Sequence, residues 1–218
     1  MKNKINLFAV SLCVLFACGE DDASVDVPAE PTIAHVDGAD FVQEVQLFVH
    51  SCEMNGVGQG VVGDQIADFS YVNCYGETVQ LHSYCGKRAA MWIVGSAGWC
   101  GACISHMPEV ARVLEQRRHE GLEAFIFVGE TEQRTAVTQE WCMGFANAHG
   151  VDPATMIYDP NAADGLQGLW QKIRPNGGGG GTIGLPWEVI LDPYDMTFYW
   201  DSNTSGELMV AIDELLAQ

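Results

Sequence analysis

Basic charge is scarce in this chain: 10 Lys and Arg stand against 29 Asp and Glu over 218 residues, a formal net charge of −19. Nucleic acids and anionic membrane surfaces are polyanions that bind through basic patches, so neither is an expected partner. There is no internal repeat and no Gly-Lys-[Ser/Thr] after the glycine run at 177–181, so a phosphate-cradling loop is not supported. No second Cys or His pair stands at zinc-ligand spacing from the one Cys-x-x-Cys. Charged residues are only 18% and hydrophobic residues 48%, which excludes global disorder. A chain of this size buries a core without covalent staples, so its eight cysteines need a chemical account.

The N-terminus sets the compartment. Met1-Lys2-Asn3-Lys4 is a short basic start, and Leu7–Ala17 is an apolar and small-residue run. Eleven helical residues reach about 16 Å, roughly half the hydrocarbon thickness of a bilayer. Residues 1–17 are therefore read as a signal peptide and not a membrane span. Leu15-Phe16-Ala17-Cys18 resembles a bacterial lipobox, which implies lipidation of Cys18 as the mature N-terminus. Ordinary secretion with cleavage nearby is the alternative. Cleavage removes Lys2 and Lys4 and no acid, leaving eight basic residues against 29 acidic ones, a net of −21. Residues 18–40 hold seven acids (Glu20, Asp21, Asp22, Asp26, Glu30, Asp37, Asp40), Pro28 and Pro31, and no Lys or Arg. This segment is expected to be a self-repelling tether.

Residues 41–218 are expected to form one α/β domain. Phe41–Val49 reads as a strand or short helix. Ile66–Tyr71 and Val79–Leu81 read as short strands around the turn at Asn73–Glu77. Ala89–Val94 is a continuous apolar run that fits a buried strand, and Leu122–Val128 reads as the next buried strand. Helices are expected over about 100–119, 131–149 and 161–173, with a short strand at Thr155–Tyr158. Trp187–Leu191 and Met196–Trp200 pair around Asp192–Asp195. Thr204 and Glu207 stand at capping-box spacing before a closing helix that buries Leu208, Ile212 and Leu215. The order predicts a mixed central sheet with helices on both faces and an N-terminal β extension.

The chemistry centres on Trp99-Cys100-Gly101-Ala102-Cys103, at the junction of a buried strand and a helix. The helix N-terminus directs unpaired N–H groups and its positive dipole end at the first sulfur. That field favours thiolate, the nucleophile of disulfide exchange. Cys103, one turn on and less exposed, is placed to attack a mixed disulfide on Cys100. Competing readings are an inert structural disulfide, or metal binding in which Cys100, Cys103 and His106 supply three ligands at most. Redox exchange needs no bound cofactor and no metal, because the sulfurs carry the electrons.

With Met107-Pro108 following, this motif resembles the TlpA/ResA-type membrane-anchored thiol-disulfide oxidoreductases of the thioredoxin-like fold. The likeness covers about residues 63–217. Gly63–Phe69 resembles the family's opening segment, Gly76–Leu81 its first hairpin, Phe127–Thr131 its central strand end and Gly184–Asp192 its cis-proline segment. The resemblance implies Cys100 as attacking thiol, Cys103 as resolving thiol and Pro186 as the cis-proline facing them. It also implies that Leu185 turns its backbone toward the substrate strand and that Glu130 takes a proton from Cys103. Trp99 is expected to line the contact surface. The implied partners are exported proteins with cysteines and a membrane electron donor or acceptor, on the extracytoplasmic side. There are three departures. Gly-Ala separates the cysteines where thioredoxin has Gly-Pro. His106 stands where ResA-type members often carry Glu. Val94 occupies the place of thioredoxin's buried acid, so proton handling falls to Glu130, His106 or water.

Two other function classes are retained: a copper-handling module using Cys100, Cys103 and His106, and a peroxiredoxin-like thiol peroxidase. The latter uses Thr-x-x-Cys, and Ala97 stands at the Thr position. A structural disulfide is expected within Cys52, Cys74 and Cys85, with Cys142 as a buried thiol.

Overall fold

The computed structural model describes residues 58, 60–161, 165–173, 184–202 and 206–218. All lie within one compact unit, Gly38–Gln218. The expected features at 1–57, including the signal peptide, Cys18, the tether and Phe41–Val49, fall outside the described residues. So do the glycines at 177–181.

Among the described residues seven strands form one mixed sheet: β1 (Ser70–Asn73), β2 (Thr78–Gln80), β3 (Ala90–Ser96), β4 (Leu122–Val128), β5 (Met156–Tyr158), β6 (Trp187–Asp192) and β7 (Thr197–Asp201). Their spatial order is β2-β1-β5-β4-β3-β6-β7. β3, β4 and β5 are mutually parallel, and β3 and β4 run in register from Ala90↔Leu122 to Ser96↔Val128. β6 is antiparallel to β3 and β7 to β6, while the β1–β2 hairpin joins antiparallel to β5. This is the expected thioredoxin-like architecture, a mixed sheet with a β extension on its N-terminal side. Both central strands, β3 and β4, are buried at all seven positions, as parallel strands covered on both faces must be.

Among the described residues four α-helices cover the sheet: α1 (Gly101–Arg117), α2 (Gln139–Ala148), α3 (Gly165–Ile173) and α4 (Leu208–Leu216). Met107, Val110, Val113 and Leu114 of α1 repeat at helical spacing. They pack with Ile212 and Leu215 of α4 and Phe145 of α2 on Trp92, Val94, Ala124 and Ile126. Met91, Ile93, Phe125 and Phe127 face the other way, onto Ile66, Tyr71 and Leu169. The period-two alternation of β3 and β4 thus feeds two cores from one sheet.

Three helix starts differ from the sequence expectation. The helix expected over 131–149 begins only at Gln139. Before it, Thr131 Oγ1 accepts from the Thr135 amide at 3.3 Å and Arg134 takes a left-handed φ of 59°, so the chain turns. Thr138 then caps the helix, accepting from the Trp141 amide at 3.2 Å. At 161–173 the Asp159 carboxylate captures the Asn161 amide at 2.9 Å in a local turn, and the described helix starts at Gly165. For α4, Glu207 is itself the N-cap, extended and without a side-chain cap bond, so it is not the third residue of a capping box. Thr204 lies outside the described residues.

The cysteine expectation is corrected as well. Cys142 is not a free thiol: it is bonded to Cys74, 68 residues away, tying α2 to the turn after β1. Both are fully buried. Of the set Cys52, Cys74 and Cys85, Cys74 therefore drops out, because the antiparallel docking of β1 beside β5 brings it to α2; Cys52 lies outside the described residues. Cys85 is also disulfide-bonded.

Candidate active site

β3 ends at Ser96 and delivers the chain to the C-terminal edge of the parallel strands. Cys100 is the N-cap of α1, with extended φ −87° and ψ 97°. Its Sγ accepts from the Cys103 amide at 3.2 Å, so a free helix N–H points at the first sulfur. The two cysteines are bonded to each other, Cα–Cα 5.3 Å. Cys100 is 7% exposed and Cys103 2%, which orders them as expected, outer and inner. In this form both sulfurs are engaged with one another, and no group of three or more His, Cys, Asp or Glu able to hold a metal occurs among the described residues.

The disulfide sits in a small apolar cluster with Ala97, against which Leu166 of α3 and Leu185 pack. The Leu185–Pro186 bond is cis, as the resemblance implied. Two glycines allow this close assembly. A Cβ on Gly98 would lie 2.8 Å from the Glu132 amide nitrogen and 2.9 Å from the Thr131 carbonyl carbon. One on Gly129 would lie 2.6 Å from the Leu166 amide nitrogen. The Gly98 amide also donates to the Glu130 carbonyl at 2.7 Å. The loop carrying Trp99 and the loop after β4 are therefore held as one rim.

On that rim Trp99 is 36% exposed. Its Nε1–H donates to Glu130 Oε2 at 2.6 Å, and the Arg134 guanidinium lies 4.1 Å over its ring. The carboxylate of Glu130, expected at Cys103, is thus engaged by Trp99 in this oxidised form. His106 follows Cys103 by one turn of α1. Its Nε2–H donates to Glu188 Oε1 at 2.8 Å, across the interface between α1 and β6. That bond raises the His106 pKa above its ordinary 6.5, burial opposes the rise, and the charges of Glu188 and Glu109 add to it. Glu188 stands in register beside Val94 on the neighbouring strand. The position without an acid on β3 therefore has a carboxylate one strand away.

Sequence reasoning did not single out Leu166, Arg134 or Glu188. Leu166 and Arg134 carried no signal, since both reach the rim through tertiary packing. Glu188 carried one: it is a charged residue two places after Pro186, on a strand otherwise apolar through Leu191.

Residues 62–165 match the model of the AhpC/TSA family. No curated relative matches the chain in sequence. Solved structures share the fold. A candidate protein disulfide isomerase from Bacteroides thetaiotaomicron aligns with TM-score 0.54 and 20% identity over 72% of this chain and 91% of its own. The C-terminal domain of a candidate thiol-disulfide oxidoreductase from the same organism gives 0.56 and 15% over 73% and 99%. A thiol:disulfide interchange protein from Bacteroides sp. gives 0.52 and 12% over 74% and 92%. The chain thus joins a thioredoxin-like fold, and a likeness to the AhpC/TSA family over residues 62–165, to a Cys-x-x-Cys at the first turn of α1.

Proposed function

We propose that this chain is a membrane-anchored, extracytoplasmic thiol-disulfide oxidoreductase that exchanges the Cys100–Cys103 pair with cysteines of exported proteins. The observation that carries the reading is the redox pair itself: an outer sulfur on a helix N-terminus, an inner sulfur bonded to it, and the Leu185–Pro186 segment alongside. Cys100 attacks or is attacked; Cys103 resolves the mixed disulfide; Trp99 and Leu185 form the contact rim; Pro186 bounds the groove. Glu130 holds the Trp99 indole in the oxidised form and is the acid the resemblance assigns to Cys103. Electrons enter or leave through a membrane donor or acceptor. A thiol peroxidase reading meets Ala97, which has no hydroxyl and lies in the apolar cluster with both sulfurs.

Two measurements test this. A Cys103→Ser variant expressed in its own compartment is expected to accumulate partners as dithiothreitol-sensitive adducts on Cys100. Tight stoichiometric Cu(I) retention with no exchange would instead support copper handling. For the anchor, intact mass of the membrane-fraction protein is expected to show a diacylated or triacylated Cys18, and an unmodified Cys18 ends the lipoprotein reading. Among the described residues no helix is long and apolar enough to cross a membrane, so an anchor would have to come from outside them.

A further inference from the structure

β3 and β4 are parallel, so α1 and α2, which follow them, both start at the sheet edge that carries Cys100 and run down one face. A row of rings lines the α2 side. Trp141 stacks on Phe145 at 4.5 Å between centroids, and Phe145 meets His149 edge-on at 4.5 Å. The row begins at the redox centre: a Cβ on Gly98, just before Trp99 and Cys100, would lie 2.8 Å from Trp141 Cζ2. On α1, Ile104, Pro108 and Ala111 stand at i, i+4 and i+7, one apolar stripe. Where the ring row ends at His149, a cavity of about 570 Å³ opens between the helices, lined by Pro108, Ala111, Leu114 and Val151. Pockets that take ligands run from about 300 to 1,000 Å³.

Charge narrows the occupant. Two arginines border the cavity, but both are spent. Arg112 donates to Glu109 at 2.5 and 2.9 Å and to Gln116 at 2.6 Å, and Arg118 reaches Glu123 at 3.3 Å and Asp152 at 4.0 Å. Glu115 on the same border repels acids. An anion is therefore not the occupant, and what the groove offers is hydrocarbon. Pro108 and Ala111 follow Cys100 by eight and eleven residues. Along the helix axis that is about 12 and 16 Å. An extended chain covers such a distance in about four or five residues.

We propose that the α1–α2 groove seats an apolar side chain of an extended client segment while the client's cysteine is bonded to Cys100. The inference rests on the oxidoreductase reading above and adds a substrate class to it. The clients are unfolded chains with an aliphatic residue about four or five positions from the cysteine. The groove is continuous with the exchange face through Trp141, so one chain occupies both.

The test uses the mature Cys103→Ser protein carrying glutathione on Cys100. Short unstructured peptides with one cysteine displace the glutathione. A bond forms between Cys100 Sγ and the peptide sulfur, the bond to glutathione breaks, and glutathione leaves with the electron pair as a thiolate. One thiol is consumed and one released, so no oxidant is needed. Exchange constants are read by intact mass. Peptides with Leu about four or five residues from the cysteine are expected to exchange about tenfold more favourably than peptides with Ser there, the low end for burying a leucine. Ala111→Lys is expected to bring that ratio to one. Independently of this variant, a photoreactive leucine analogue at the same peptide position is expected to label residues 108–115 or 149–151. Equal constants for the Leu and Ser peptides would overturn the proposal and leave the groove to a second copy or to a segment of this chain before Gly58. A ratio kept in folded Ala111→Lys, or label confined to Leu185–Ser202 or α4, would overturn it too. A protein from which no peptide displaces glutathione would sink the oxidoreductase reading itself, a separate and recognisable result.

Discussion

Cys100→Ser is expected to abolish exchange activity, by on the order of 10³-fold or more in an insulin-reduction assay, while leaving the fold intact. The reasoning separates chemistry from structure. As N-cap of α1, residue 100 supplies an acceptor for the Cys103 amide. Serine is among the best residues for that position, so the helix start is kept. The loss is then of the nucleophile alone: a hydroxyl does not ionise near neutrality, and the helix terminus cannot lower its pKa far enough. Thermal unfolding of the variant should match that of a Cys100→Ser/Cys103→Ser double variant, because both lack the same bond. Retention of even a tenth of wild-type activity would mean that electrons pass through other sulfurs.

The second large effect falls on stability. Reducing or removing the Cys74–Cys142 bond frees a loop of 68 residues' separation. Chain entropy alone puts the loss at about 4 kcal/mol, and removal of native disulfides typically costs about 2–5 kcal/mol. A domain stable by only about 5–15 kcal/mol would lose a large part of its margin. Cys142→Ala with Cys74→Ala is therefore expected to lower the urea midpoint sharply with little change in slope. Because the bond lies in the core shared by α1, α2 and α4, and not in the cluster around Cys100, activity of the folded fraction should persist. Non-reducing peptide mapping should recover a 74–142 cross-link. Free thiols at both positions would refute the pairing.

How much of this was legible before the coordinates depended on the range of the interaction. β4 was readable to the residue, because Leu122–Val128 is apolar but for Glu123 and bounded by Gly121 and Gly129. The reactive pair was readable because strand, turn and helix start are contiguous in the chain. The start of α2 was not: the stretch 131–138 has no strong helix breaker, and it is the turn closed between Thr131 and Thr135, with Arg134 left-handed, and the cap at Thr138 that hold it out of the helix. The Cys74–Cys142 link and the His106–Glu188 pair were hidden for a common reason. Each joins segments more than sixty residues apart, and their meeting is set by sheet order and register, which local pattern does not encode.

The fastening of Trp99 has a consequence for recognition. Its one polar hydrogen is spent on Glu130 and one π-face lies under Arg134. What the ring can still offer a visitor is bare hydrocarbon, which attracts without reading side-chain identity. Under the proposed exchange with proteins, discrimination at this rim then comes from how accessible a visitor's sulfur is. Loosely folded clients would be handled alike, whatever residues flank their cysteines.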